Sequence, residues 1–190
     1  MKKILVATIV IIVALFLVLL LPYFLLVSKG STVDAQWAQV ENVYQRRADL
    51  VPNLVETVKG YASHEKEIFE AVANARTKIG QVSIDPAKMS PEQLAQYQEA
   101  QGEFGLALSR LLAIAEAYPD LKASQNFLAL QSQLEGTENR IAVERMRYNE
   151  IARSYNVFIK IYFLSGLFGY TEKPYFKAVP GAEKAPEVKF

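Results

Sequence analysis

His64-Glu65 opens like the signature of a helical zinc peptidase, which places two imidazoles four residues apart on one helix face. Position 68 is Ile, however, and His64 is the only histidine in the chain. A mononuclear site would need carboxylates such as Glu65 and Glu67, and nothing places a third ligand. A polar first helical turn, with Glu65 near a helix N-terminus, accounts for the same residues. The absence of Cys removes thiol nucleophiles and every Cys-ligated zinc or iron–sulfur site. No Ser stands in a nucleophile arrangement with a His and an acid, and the nine glycines are scattered rather than gathered into a phosphate loop. The sequence therefore predicts no catalytic residue, no metal and no cofactor.

A second constellation is the pair Arg46-Arg47 with Asp49, which could clamp a phosphate or carboxylate in a ligand-binding bundle. Arg47 nevertheless falls on an apolar stripe, as does Glu144 much later. That placement predicts a partly buried Arg47–Glu144 pair that fixes helix register rather than adding much stability. Glu135, Glu138, Asn139, Arg140, Glu144 and Arg145 form a charged belt. Its spacing allows internal pairs, Glu135–Asn139 and Glu138–Arg145, on a solvated face. The sharper reading is a partner surface extended by Gln125, Asn126 and Gln131.

These residues ride on helices. Steps of three and four lead from Trp37 through Val40, Tyr44, Arg47, Val51, Leu54 and Val58 to Tyr61. A second stripe reads Leu94, Tyr97, Gln101, Phe104, Leu108, Leu111. A third reads Phe127, Leu130, Leu134, Thr137, Ile141, Glu144, Tyr148, Ile151, Tyr155, Phe158, Tyr162. Such spacing gives each helix one core-facing seam, and sustained period-two alternation is missing, so the class is all-α. Ser90-Pro91-Glu92-Gln93 is a helix start with a capping box. Pro119 ends the helix before it, and Asp120 is expected to cap the next. Pro52 predicts a kink, and Gly60 followed by Ser63 predicts a C′ glycine and a new N-cap. Four helices are expected near 34–59, 63–79, 91–118 and 120–163, as an antiparallel up-and-down bundle with a kinked first helix. One unbroken first helix, giving three long helices, is the alternative.

The first residues set the address. Ile4 to Val27 carries no charge, and as a helix its 24 residues span about 36 Å against the ~30 Å hydrocarbon core of a bilayer. Lys2, Lys3 and Lys29 bracket it. Val33-Asp34-Ala35 resembles a weak cleavage site, but the apolar run is far longer than a signal peptide's, so a retained transmembrane helix is expected. Lys2 and Lys3 favour a cytoplasmic N-terminus, with the large domain outside the cytoplasm. The chain holds 21 Lys+Arg and 20 Asp+Glu in 190 residues, a balance that excludes polybasic nucleic-acid binding. The expected organisation is an anchor over 1–29, a bundle over 30–165, and a tail over 166–190 that is apolar and then Pro-rich, extended and partly disordered. The apolar cluster Val157–Tyr170 suits the headgroup level or a partner's groove.

Several strings go beyond generic helix. Tyr44-Gln45-Arg46-Arg47-Ala48-Asp49-Leu50-Val51-Pro52-Asn53-Leu54 leads into Val58-Lys59-Gly60-Tyr61-Ala62-Ser63-His64-Glu65. Later come Tyr118-Pro119-Asp120-Leu121-Lys122-Ala123, Leu134-Glu135-Gly136-Thr137-Glu138-Asn139-Arg140-Ile141, Tyr148-Asn149-Glu150 and Tyr155-Asn156. Together they resemble the LemA family along essentially the whole chain. The resemblance implies a bacterial membrane-anchored four-helix bundle without established catalytic activity. Some family members resemble parts of magnetosome membranes. Others are associated with membrane metallopeptidases of the HtpX type or with TPM-domain proteins. The expectation is a single-pass protein of the bacterial inner membrane that acts as a scaffold or adaptor. Its partners would be the lipid bilayer, another membrane protein and further copies of itself through the projecting last helix. The rival is the ligand-binding bundle.

Overall fold

The computed structural model describes residues 2–162 and 164–177. Among them there are helices and turns but no strands. The apolar run and the first heptad stripe form one uninterrupted helix, α1 (Lys2–Lys59), which continues through Pro22 and Pro52. Anchor and bundle thus share a helix axis, where the sequence predicts a separate helix from residue 34. Pro52 lacks the amide that would bond the Ala48 carbonyl, yet the flanking residues keep helical structure.

The break after α1 is present, with different chemistry from that expected. The amides of Tyr61 and Ala62 both bond the Val58 carbonyl, and Gly169 is the only described residue with positive φ. Gly60 is therefore not a left-handed C′ glycine. The next helix, α2 (Lys66–Gln81), has Glu65 rather than Ser63 at its N-cap, and the Tyr118 hydroxyl donates to Glu65 Oε1 at 3.2 Å. α3 (Pro91–Ala113) starts with the predicted capping box, both Ser90 and Gln93 bonds being present. It tightens into a 3₁₀ turn over Ile114–Glu116 ahead of Pro119. Asp120 is not a cap. Pro119 opens the single-turn α4 (Pro119–Lys122) with Tyr118 at its N-cap, and Ser124 precedes α5 (Gln125–Ile161).

α1 packs along α5 and α2 along α3. α5 returns to the apolar end of α1: the Lys29 ammonium bonds Ser154 Oγ at 3.0 Å, and the Tyr23 and Phe168 rings lie 5.2 Å apart. Side chains fill two apolar clusters. The one nearer the anchor holds Leu26, Val33, Trp37, Val40, Leu94, Ile141, Tyr148 and Tyr155. The far one holds Val51, Leu54, Val72, Phe104, Leu111, Phe127 and Leu134.

Residues 171–177 are the described part of the Pro-rich tail. They are extended but docked, and residues 178–190 lie outside the described part. Asn156 donates from Nδ2 to the Lys173 carbonyl and accepts the Lys173 amide, both at 2.8 Å. Asn149 does the same with Phe176, both at 2.9 Å. Each side-chain amide thereby acts as a neighbouring strand would. The geometry matches: seven residues of helix rise about 10.5 Å and three of extended chain about 10 Å. Phe176 is buried, stacked on Trp37 at 5.8 Å and edge-on to Tyr148 at 5.4 Å. The buried Lys173 ammonium bonds the carbonyls of Pro86 and Ala87, the latter at 2.9 Å, and so ties the tail to the α2–α3 loop. Burial pushes its pKa down, partly offset by Asp34 and Asp85.

Two outcomes follow from this packing. Phe176→Ala should cost about 3 kcal/mol in chemical denaturation of the full chain in detergent, and should expose residues 171–177 to proteases. An unchanged midpoint would mean that the tail is peripheral. Burial also raises the pKa of the Tyr44, Tyr97, Tyr148 and Tyr155 phenols, Tyr155 to about 12. With folded values above the unfolded value near 10, the folded chain holds more protons once the pH passes that value. Stability is thus complete below pH ~10 and falls as the pH rises through the folded values. Tyrosinate absorbance and helical circular dichroism should change together in that alkaline window.

Candidate interaction site

Between the two apolar clusters lies a polar layer. Arg47 is only 4% exposed. Its guanidinium donates from Nη1 to Glu138 Oε1 at 2.9 Å, and from Nη2 to the Gln101 carbonyl at 3.2 Å and to Gln101 Oε1. The rings of Tyr44 and Phe104 lie 5.1 and 5.3 Å from its central carbon. Arg47 Nε is buried without a hydrogen-bond partner. Thr137, also buried, returns its hydroxyl to the Gln133 carbonyl at 2.7 Å. Arg47, Gln101 and Thr137 are thus the polar members of three apolar stripes, brought to one level.

The predicted Arg47–Glu144 pair does not form. Glu144 instead accepts from Gln36 Nε2 at 2.7 Å and from Arg147 at 2.9 Å. Gln36 already occupies the level of Glu144, and Arg47 lies eleven residues further along α1, roughly 16 Å by helical rise. A side chain cannot span that return. The belt pairs differ for the same reason. Glu138 turns to Arg47 instead of Arg145, and Arg145 donates to the Lys177 carbonyl at 2.8 Å and covers the Phe176 ring. Glu135 accepts from Gln131 at 3.0 Å and is not paired with Asn139.

The remaining candidates diverge. Arg46 and Asp49 are exposed, with Asp49 held by Gln45 at 2.7 Å, so Arg46, Arg47 and Asp49 do not converge on one site. Pro52, Asn53, His64, Asn139 and Arg140 are exposed, and Glu65 is half-buried. Among the described residues no three His, Cys, Asp or Glu side chains gather as metal ligands.

What the sequence does not reveal is a cleft. The backbones of α1 and α2 stay apart along an open groove of about 820 Å³. Its walls carry Ala48, Val51, Pro52, Val55, Phe69 and Val72; Glu41, Glu56, Lys59 and Arg76 also line it. From Glu41 to Lys59 it extends about 27 Å along α1. The asparagines that hold the tail were also missed, although Tyr-Asn recurs at 148–149 and 155–156, one heptad apart.

The LemA family model matches residues 36–190. The chain is 28% identical to Magnetosome protein MamQ 2 of Paramagnetospirillum magneticum, over 90% of this chain and 71% of that protein. It is 29% identical to Magnetosome protein MamQ of Magnetospirillum gryphiswaldense, over 90% and 70% respectively. Against Protein LemA of Metamycoplasma hominis the identity is 26%, over 70% of this chain and 61% of that protein.

Gln101→Leu should remove the bond from Arg47 Nη2 to the Gln101 side chain, leaving the Glu138 pair and the residue 101 carbonyl, and cost about 2 kcal/mol. Arg47→Met in the Gln101→Leu background should recover much of that loss, because an apolar pair needs no hydrogen bonds there. Denaturant midpoints of the single and double variants measure the coupling. A Gln101→Leu protein as stable as the parent would show that Arg47 does not depend on Gln101.

Proposed function

The chain belongs to the LemA family, and on that premise we propose that it is a membrane-anchored scaffold that recruits another membrane protein, not an enzyme. The supporting architecture is an up-and-down four-helix arrangement of the upper part of α1 with α2, α3 and α5, carried on a single transmembrane span. The proposed location is the bacterial inner membrane, with the helical domain on the extracytoplasmic side, a sidedness that rests on Lys2 and Lys3. Relatives named as magnetosome proteins support membrane association.

The observation that carries this reading is the α1–α2 groove, set on a helix continuous with the anchor. An apolar-walled trough of several helical turns, bordered by charges of both signs, suits an amphipathic helix of the partner. Confinement to one bilayer raises the partner's effective concentration, so a weak contact is enough. An HtpX-type peptidase or a TPM-domain protein would be such a co-resident partner.

A photo-reactive phenylalanine analogue in place of Ala73, on the α2 wall of the groove, should give a discrete adduct with a membrane protein in native membranes. The same analogue in place of the exposed Leu106, away from the groove, should give none. Identical adduct patterns from the two positions would remove the groove from the proposal. Substrate turnover by the purified full chain would overturn the scaffold reading itself.

A further inference from the structure

We propose that the end of α5 and the turn that follows it form a second membrane contact, inserting Val157, Ile161 and Phe168 into the lipid interface beside α1. These side chains are 52%, 75% and 49% exposed, while the opposite face of the same segment packs on α1. That inner face fixes the height of the segment. The Tyr155 ring lies over Gly30 of α1, where an added Cβ would be 3.6 Å from it, and the Lys29 ammonium stands 6.0 Å from the centre of the Phe158 ring. Tyr23 then meets Phe168. Gly169, with φ 76°, closes the 3₁₀ turn Gly166–Phe168 that carries the last of these residues.

Position along α1 converts these contacts into depth. Counted from Ile4, a 30 Å hydrocarbon core at 1.5 Å per residue reaches roughly to Phe24. Phe168 touches Tyr23, so it sits at the outer edge of that core, about 9 Å below Lys29. Interfacial segments bury their apolar face to about 5–10 Å, which is this level. Exposed aliphatic and aromatic groups adjoining a lipid-crossing helix, and continuous with its outer face, find the bilayer as their nearest apolar surroundings. Charge plays little part. Lys160 is paired with Glu172 at 3.2 Å, and Lys29, bonded to the neutral Ser154 hydroxyl, is one cation at headgroup level. Insertion is therefore driven by apolar burial and needs no anionic lipid.

Because the chain has no Cys, nitroxide labels on single-cysteine variants report without background. Full-length Ile161→Cys, Phe168→Cys and Val157→Cys, labelled and reconstituted sparsely into phosphatidylcholine vesicles, are compared with Phe16→Cys and Leu106→Cys. Collision with oxygen should exceed collision with a water-soluble nickel chelate several-fold at 161 and 168, as at 16, with the ratio at 157, higher in the interface, between these and 106. The ratio should reverse at 106. Nickel access at 161 and 168 matching that at 106 would overturn the proposal. So would exclusion of both reagents, or dipolar broadening between labels, since either means protein covers the surface. Val157 lies on α5 and outside the turn, so it reads the same face if a label at 168 disturbs the turn. The scaffold reading stands or falls separately, because this measurement contains lipid and no partner.

Discussion

The constraint on which the rest of the molecule depends is the continuity of α1. The helix that carries the apolar run of Ile4–Val27 enters the bundle without a break and contributes Val33, Trp37, Val40, Val51 and Leu54 to its core. There is thus no hinge at the membrane surface, and the bundle inherits the tilt and rotation of its anchor. An antiparallel α5 of 37 residues, about 55 Å long, is then obliged to aim its C-terminus at the lipid. The α2–α3 hairpin is shorter: α2 packs only in the cluster further from the anchor, whereas α3 also reaches the nearer one through Leu94 and Tyr97. Near the anchor the core is completed by the α2–α3 loop, through Ile84 and Met89, and by Phe176 from the docked tail.

Apolar seams alone leave register loosely determined. A slide of α5 by one turn, 5.4 Å, would still set aliphatic against aliphatic. It would also separate Glu138 from Arg47 and Glu144 from Gln36, and break the paired amide contacts of Asn149 and Asn156. Charged and amide groups cannot be misplaced in a buried setting without losing several hydrogen bonds at once. The polar layer therefore acts mainly on which alignment is chosen, even though an apolar replacement could match its contribution to stability.

Much of this was readable from the residues. The three-and-four rhythm placed the long helices, Ser90 and Gln93 marked a start that the structure reproduces, and Pro119 ended α3 within a turn. Arg47 stood out as a polar residue on an apolar stripe. Its partner did not, because choosing Glu138 over Glu144 requires the relative height of two helices, which no local pattern contains. The continuity of α1 through Gly30 and Ser31 was hidden for a different reason: weak helix formers lower a local expectation, but packing of the same face on α5 outweighs them. The tail shows the same limit. The repeated Tyr-Asn was visible, yet its role appears only when an extended chain lies beside it at a matching pitch.

The two seams of the bundle then present one physical problem with two outcomes. Near the anchor, α3 and α5 are held apart, and residues 171–177 fill the gap with backbone-like hydrogen bonds and the Phe176 ring. Farther out, α1 and α2 are held apart and the seam stays open. It can do so cheaply, because Ala48, Val51, Phe69 and Val72 are already shielded by their neighbours. Of the apolar lining, Val55, Ile79 and Val82 retain intermediate exposure. Covering these three partly exposed side chains gains at most about 1–2 kcal/mol each, a sum no larger than the losses of association. In free solution such a groove would stay largely empty. Under the proposed scaffold reading, confinement of a partner to the same bilayer would lower those losses, and a shallow groove and a rigid anchor would then act together.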